Sequence, residues 1–179
     1  GDRSMSELLG GKGANLAEMV SMGLPVPPGF TITTRACQVY LRTGAQPDEL
    51  QGQIDRSLIE LEESMGRVLG DPGDPLLVSV RSGAKFSMPG MMETVLNIGL
   101  NDLSVVGLAR VSNNEHWAWD SYRRLVQMFG KTVLGISGEP FEERIDAAKE
   151  SQGAAADVDL SVAAMQTPVT EFKEIIEQE

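Results

Sequence analysis

The chain has 179 residues, 41% of them hydrophobic, enough for one domain or for a lobe carrying a subdomain. Its 26 acidic residues outnumber 15 basic ones for a net charge of −11, and no basic cluster offsets the excess, which argues against nucleic acid and anionic membrane surfaces as partners. The single cysteine, Cys37, rules out an internal disulfide, and with no signal peptide or long apolar run the chain fits a reducing cytoplasm.

The chain opens on Gly1 rather than on methionine, which reads as a trimmed or tagged start. The first chemistry-bearing segment is Leu9-Gly10-Gly11-Lys12-Gly13-Ala14-Asn15-Leu16, in which three glycines surround one lysine. Leu16, Met19 and Val20 recur at helical spacing after it, and Gly23 suits a left-handed helix cap. A glycine turn opening a helix presents backbone N–H groups to an anion, and Lys12 adds a full charge. A Walker A loop requires Ser or Thr after the lysine, where Gly13 stands; a dinucleotide fingerprint requires a third glycine where Leu16 stands. The segment alone is a weak signal.

The run over 24–29 holds three prolines and reads as extended, feeding a strand over 30–33. Thr34 is expected to cap a helix ended by Gly44, with Cys37 as a small core residue beside Ala36 and Val39. A helix over 48–69 follows, whose stripe of Leu50, Ile54, Leu58, Leu61, Met65 and Val68 is core. Residues 70–75 form a turn in which Asp71 and Asp74 act as turn formers rather than metal ligands.

The stretch over 77–97 is the most informative. Leu77, Ser79 and Arg81 alternate with Val78 and Val80, as in a strand with one buried face, and Arg81 ends it. A guanidinium there can grip a phosphate through two parallel hydrogen bonds, or it can pair with a local acid. Lys85 and the loop Ser87-Met88-Pro89-Gly90-Met91-Met92 follow, then a second strand over 95–100. Beyond residue 101 the chain reads as helical: Asp102, Asn114 and Thr167-Pro168 are expected caps, a fourth helix lies around 141–149, Gly130 and Gly153 are stops, and residues 153–156 are a linker.

Taken together, the glycine-lysine opening and the arginine strand closely resemble the N-terminal nucleotide-binding domain of the pyruvate, phosphate dikinase family. The resemblance extends through residues 23–33, 77–102, Asp120-Ser121-Tyr122-Arg123-Arg124 and Met128-Phe129-Gly130. The related phosphoenolpyruvate synthases share the opening, the Pro-Pro-Gly-Phe segment and the Val-Arg-Ser strand end, but carry a different loop after the arginine. The resemblance implies an α+β chain: a partial ATP-grasp-like lobe with a small sheet (residues 1–100), then a mostly helical subdomain (101–179). It implies ATP as ligand, with Lys12 and Arg81 on its phosphates and Gly90, Met91 and Thr94 in the loop over them; no role is implied for Lys85.

Magnesium ligands, a second ATP-grasp lobe, a phosphohistidine domain and a pyruvate-binding barrel are expected outside these residues. His116, the only histidine, lies in an aromatic helical context unlike a carrier histidine, so no catalytic residue is expected here and the fragment alone should be inactive. Two other readings remain: a phosphoenolpyruvate synthase domain, and a non-catalytic module that docks a protein through Trp117, Trp119, Tyr122 and Phe129, rings that could equally pack inward.

Overall fold

The computed structural model describes residues 1–83 and 94–178. These fall into two compact units, residues 1–66 with 81–83, and residues 67–80 with 94–178. The sequence boundary between residues 100 and 101 lies inside the second unit, where the second strand packs on a helix of the following stretch.

The first unit holds a 3-10 turn at Arg3–Met5 and three helices, α1 (Ser6–Ser21), α2 (Thr34–Thr43) and α3 (Leu50–Met65). The glycine turn expected to open α1 is a kink within it. Gly10, at φ 70 and ψ 166, leaves helical geometry, and the helix restarts at Gly11. A side chain would strain at that φ, so glycine is needed there. The helix closes as expected at Gly23, whose N–H donates to the Val20 carbonyl at 2.9 Å while Leu24 N donates to the Met19 carbonyl at 3.0 Å.

Four expectations for this unit are corrected. Residues 30–33 form no strand: among the described residues they pair with no backbone ladder, and a strand requires one. Thr34 does not cap its own helix; Thr33 is the N-cap, without a side-chain bond, and the Thr34 hydroxyl donates to the Glu7 carbonyl of α1 at 2.6 Å. Helix α3 stops at Met65 because Gly66 adopts φ 64, so Val68 leaves the stripe; the Val68 carbonyl instead accepts from Leu76 N at 2.9 Å. Cys37 is exposed, because α2 turns Ala36 and Val39 inward and Cys37 away from them. Leu61 is the only residue of the α3 stripe that is buried.

The second unit contains β1 (Val78–Arg81, whose last residue belongs to the first unit), β2 (Thr94–Ile98), and helices α4 (Ser104–Ser112), α5 (Glu115–Thr132), α6 (Glu139–Gln152) and α7 (Val162–Glu177). β1 and β2 pair as a two-stranded sheet. β1 is exposed from Ser79 onward rather than buried, since among the described residues no layer covers it. The turn before it follows the expected chemistry: the Asp71 carboxylate accepts from Gly73 N at 2.7 Å and Asp74 N at 2.8 Å, and Asp74 pairs with Arg67 at 3.0 Å.

Asn114 caps α5 as expected, accepting from Trp117 N at 3.0 Å. Asp102 does not cap α4. Asn101 does, accepting from Ser104 N at 2.8 Å while the Ser104 hydroxyl accepts from Asn101 N at 2.8 Å. Thr167 and Pro168 lie inside α7, whose cap is Ser161, accepting from Ala164 N at 3.3 Å. Pro168 removes one helix hydrogen bond, but it is fully buried, and that packing offsets the loss. Gly153 ends α6 in the left-handed conformation, and residues 154–156 lead into a short 3-10 turn at Asp157–Asp159.

Gly130 is not a stop. It lies within α5 where Phe141 of α6 presses on the backbone, and Phe141 meets Phe172 of α7 edge-on with centroids 4.9 Å apart. A Cβ on Gly130 would sit 2.6 Å from Phe141 Cζ. In a helix Gly→Ala ordinarily stabilises by up to ~1 kcal/mol, whereas forcing a methyl into a packed core costs about 1–3 kcal/mol. Gly130→Ala should therefore be net destabilising, seen as a lower urea midpoint at unchanged m-value in tryptophan fluorescence from Trp117 and Trp119.

Asp102 is free of capping duty and instead receives hydrogen bonds from Lys173 of α7 and from the Tyr122 hydroxyl, the latter at 3.2 Å. The Lys173 bond, above all, holds the Asp102 carboxyl below the usual carboxylate range. Burial alone would lower Lys173, but its bonds to Asp102 and Tyr122 outweigh that and raise it. A depressed carboxyl adds stability that is present above its unfolded pKa near ~3.9 and lost as pH falls through its folded value. Because Asp102 is largely exposed, Asp102→Asn should cost only about 0.2–1 kcal/mol at neutral pH. Melting curves of the two proteins should converge as the pH is taken below the folded Asp102 pKa.

Candidate functional site

Lys12 lies in the first turn after the Gly10 kink, and its exposed ammonium reaches 70 residues along the chain to donate to the Ser82 carbonyl at 3.1 Å. Ser82 directly follows Arg81, the last residue of β1. Lys12, Arg81 and Ser82 all belong to the first unit. The lysine of the glycine-rich opening thus bonds the backbone of the residue that follows the strand-end arginine.

Two local features make this possible. The kink at Gly10 turns the second part of α1 away from its first turn, and Gly13 lets the helix approach the 30–33 segment closely: a Cβ there would lie 3.3 Å from Thr31 Cγ2. Both cations are without a carboxylate partner among the described residues, in a chain where acids exceed bases by eleven. The ion-pair alternative for Arg81 thus has no partner among those residues.

Thr94 begins β2 and is half-buried in the second unit. Gly90, Met91 and Lys85 lie outside the described residues. The His116 ring is half-buried, with Nε2 donating to the Leu160 carbonyl at 2.9 Å; a carbonyl only accepts, so Nε2 carries the proton and the ring joins α5 to the lead-in of α7. Among the described residues no group of three or more His, Cys, Asp or Glu side chains could hold a metal ion, and no helix is long and apolar enough to cross a membrane. Lys12 and Arg81 are cationic donors, and a guanidinium and an ammonium are each able to bind a phosphate oxygen.

Sequence reasoning missed the partner of Lys12, because a backbone carbonyl carries no residue signature. It also missed the work done by residues 120–124. Asp120 accepts from Arg123 Nη2 at 2.7 Å and from Arg124 Nε at 2.9 Å. Arg123, only 4% exposed, also donates to Asp157 at 3.2 Å and Gln127 at 3.2 Å. All three nitrogens of that guanidinium donate to protein, so the cavity of about 250 Å³ beside it is the rim of an ion-pair network. A second groove, of about 320 Å³, lies between the 30–33 segment, α2 and α3, remote in sequence from Lys12 and Arg81.

Comparison with known proteins shows what the chain is similar to. Residues 6–60 match the family model described as pyruvate phosphate dikinase, AMP/ATP-binding domain. Over 99% of its length the chain is 49% identical to the pyruvate, phosphate dikinase of Clostridium symbiosum, of which it covers 20%. It is 53% identical to pyruvate, phosphate dikinase 2 of Oryza sativa subsp. japonica, with 98% of the chain and 20% of that protein aligned. Identity to the chloroplastic pyruvate, phosphate dikinase 1 of Zea mays is also 53%, over 98% of the chain and 18% of that protein. The chain is thus similar to the N-terminal region of pyruvate, phosphate dikinases and spans about one fifth of the length of these relatives.

Proposed function

We propose that these residues are the ATP-binding part of a dikinase that converts ATP, pyruvate and phosphate to AMP, phosphoenolpyruvate and diphosphate through a phosphohistidine on another domain. In this reading Lys12 and Arg81 hold the nucleotide phosphates, and Gly90, Met91 and Thr94 belong to the loop over them. The observation that carries the reading is the Lys12 ammonium bonded to the carbonyl next to Arg81, both cations lacking a carboxylate among the described residues.

The chemistry asked of such a site is modest. Phosphoryl transfer depends mainly on positioning and charge neutralisation, so this part needs no general base. Arg81 supplies a planar fork that can bind two phosphate oxygens and never deprotonates; Lys12 supplies a compact charge with several donors. The second ATP-grasp lobe, the magnesium ligands, the carrier histidine and the pyruvate barrel belong to the rest of a protein as long as the relatives, and a cytoplasmic location fits the composition. Within that protein, residues 1–100 would be the first part of an ATP-grasp-like lobe and 101–179 a helical subdomain.

A docking module is less well supported: Tyr122 is buried and Trp119 half-buried, which leaves Trp117 and Phe129 as the exposed rings of α5. A phosphoenolpyruvate synthase domain is less well supported too, since the curated relatives named above are dikinases.

The 179-residue chain alone should form no phosphoenolpyruvate from ATP, pyruvate and phosphate, and should bind ATP only weakly by calorimetry. In a full-length protein containing these residues, hydrogen bonds to a charged group contribute about 1.5–3 kcal/mol each, so Arg81→Ala should slow ATP-dependent histidine phosphorylation by roughly ten- to a hundredfold. Tm should barely move, Arg81→Lys should rescue in part, and the pyruvate half-reaction should be unaffected. Equal slowing of both half-reactions, or unfolding, would make Arg81 a structural residue.

A further inference from the structure

Lys12 has a feature that a simple phosphate ligand does not need. Its ammonium is already bonded, without any ligand, to the backbone carbonyl of the residue that follows Arg81. The lysine stands on a helix whose direction is set by the Gly10 kink, and the carbonyl stands at the open end of an exposed strand. Val80 and Arg81 are exposed there, and Gly83 carries no side chain.

We propose that Lys12 is a positioning residue for Arg81, holding the carbonyl of the next residue, Ser82, and that it keeps this bond while donating to an anionic ligand. A lysine ammonium has three N–H donors in tetrahedral arrangement, so one can remain on the Ser82 oxygen while the others face a phosphate. The role extends the nucleotide reading above and rests on it for the identity of the anion, though the backbone tether itself does not. An arginine whose backbone is held before the ligand arrives loses less freedom on binding, which is how a fixed frame strengthens a flexible cation.

Carbonyl carbon NMR shifts of the 179-residue chain can test this, because the Ser82 carbonyl shift reports directly on the bond it accepts. In the ligand-free chain Lys12→Met, which keeps the apolar stem without donors, should move the Ser82 carbonyl resonance to the position it takes without the ammonium bond, whereas Arg81→Ala should not produce that displacement. Backbone resonances of α5 and α7 serve as the folding control and should not shift in either variant. On titration with ATP, and separately with tripolyphosphate, the Ser82 carbonyl should stay at its bonded position while the Arg81 side-chain resonances shift.

Three results are decisive. A Ser82 resonance indifferent to Lys12→Met overturns the tether. A resonance that moves to the unbonded position as ATP binds also overturns the proposal, since the carbonyl would then be a placeholder that the ligand displaces. If neither anion perturbs Arg81 at concentrations well into the millimolar range, the nucleotide reading of this chain fails, and bonding through the binding event fails with it, while Lys12→Met still decides the tether.

Discussion

The second unit depends on one ring. Phe141 points the tip of its ring at Gly130 and meets Phe172 edge-on, so a single side chain of α6 fixes the separation of α6 from both α5 and α7. Tyr122, Leu125, Val126, Ile145 and Val169 then complete a contiguous core that reaches Val95 on β2. Dense packing of this kind is intolerant of a single extra methyl, which is why glycine stands in the last turn of α5 despite its poor propensity. Because β2 is built into this core, its start at Thr94 is held by packing rather than by local sequence.

The first unit is held differently. Its described helices bury Gly10, Ala14 and Leu61, while Leu16, Val20, Phe30, Ile32 and Leu41 are exposed. With so little apolar burial, polar links have more to do: Thr34 to the Glu7 carbonyl, Arg3 N to Glu18 at 3.0 Å, and Lys12 to the Ser82 carbonyl. Hydrogen bonds of this type contribute about 0.5–1.5 kcal/mol net, roughly a third to a half of what one fully buried leucine contributes. Lys12 and Arg81 therefore belong to the unit whose described residues bury less apolar surface.

How much of this was legible in the sequence divides along physical lines. Signals written into one residue's own conformational preference were readable: Gly23, Gly44 and Gly153 as left-handed caps, Asn114 as a side-chain cap, the Asp71 turn, and β1 ending at Arg81. Where two neighbouring residues could do the same job, the choice was not readable. Asn101 outcompeted Asp102 because Ser104 three residues on closes a reciprocal pair, and Asp102 was left to bind Lys173, which is 71 residues distant. Ser161 outcompeted Thr167 because burial of Pro168 and Phe172 carries the helix through a proline. Gly66 overrode a hydrophobic stripe because the residues after it find backbone partners near Leu76.

The candidate site was legible as two separate motifs and illegible as one place. Glycine, lysine and a strand-end arginine carry chemical signatures; the distance between them does not, since their approach depends on a kink angle at Gly10 and on a carbonyl that any residue at position 82 would supply. That asymmetry bears on how Lys12 and Arg81 divide their work. A guanidinium on a strand end can match the geometry of a phosphate only if the strand end stays where it is, because its selectivity comes from two parallel bonds rather than from charge alone. An ammonium imposes no such demand and can spend one donor on the scaffold. The residue with the less exacting recognition geometry is the one bonded to the backbone, and that leaves the guanidinium of Arg81 free of protein partners among the described residues.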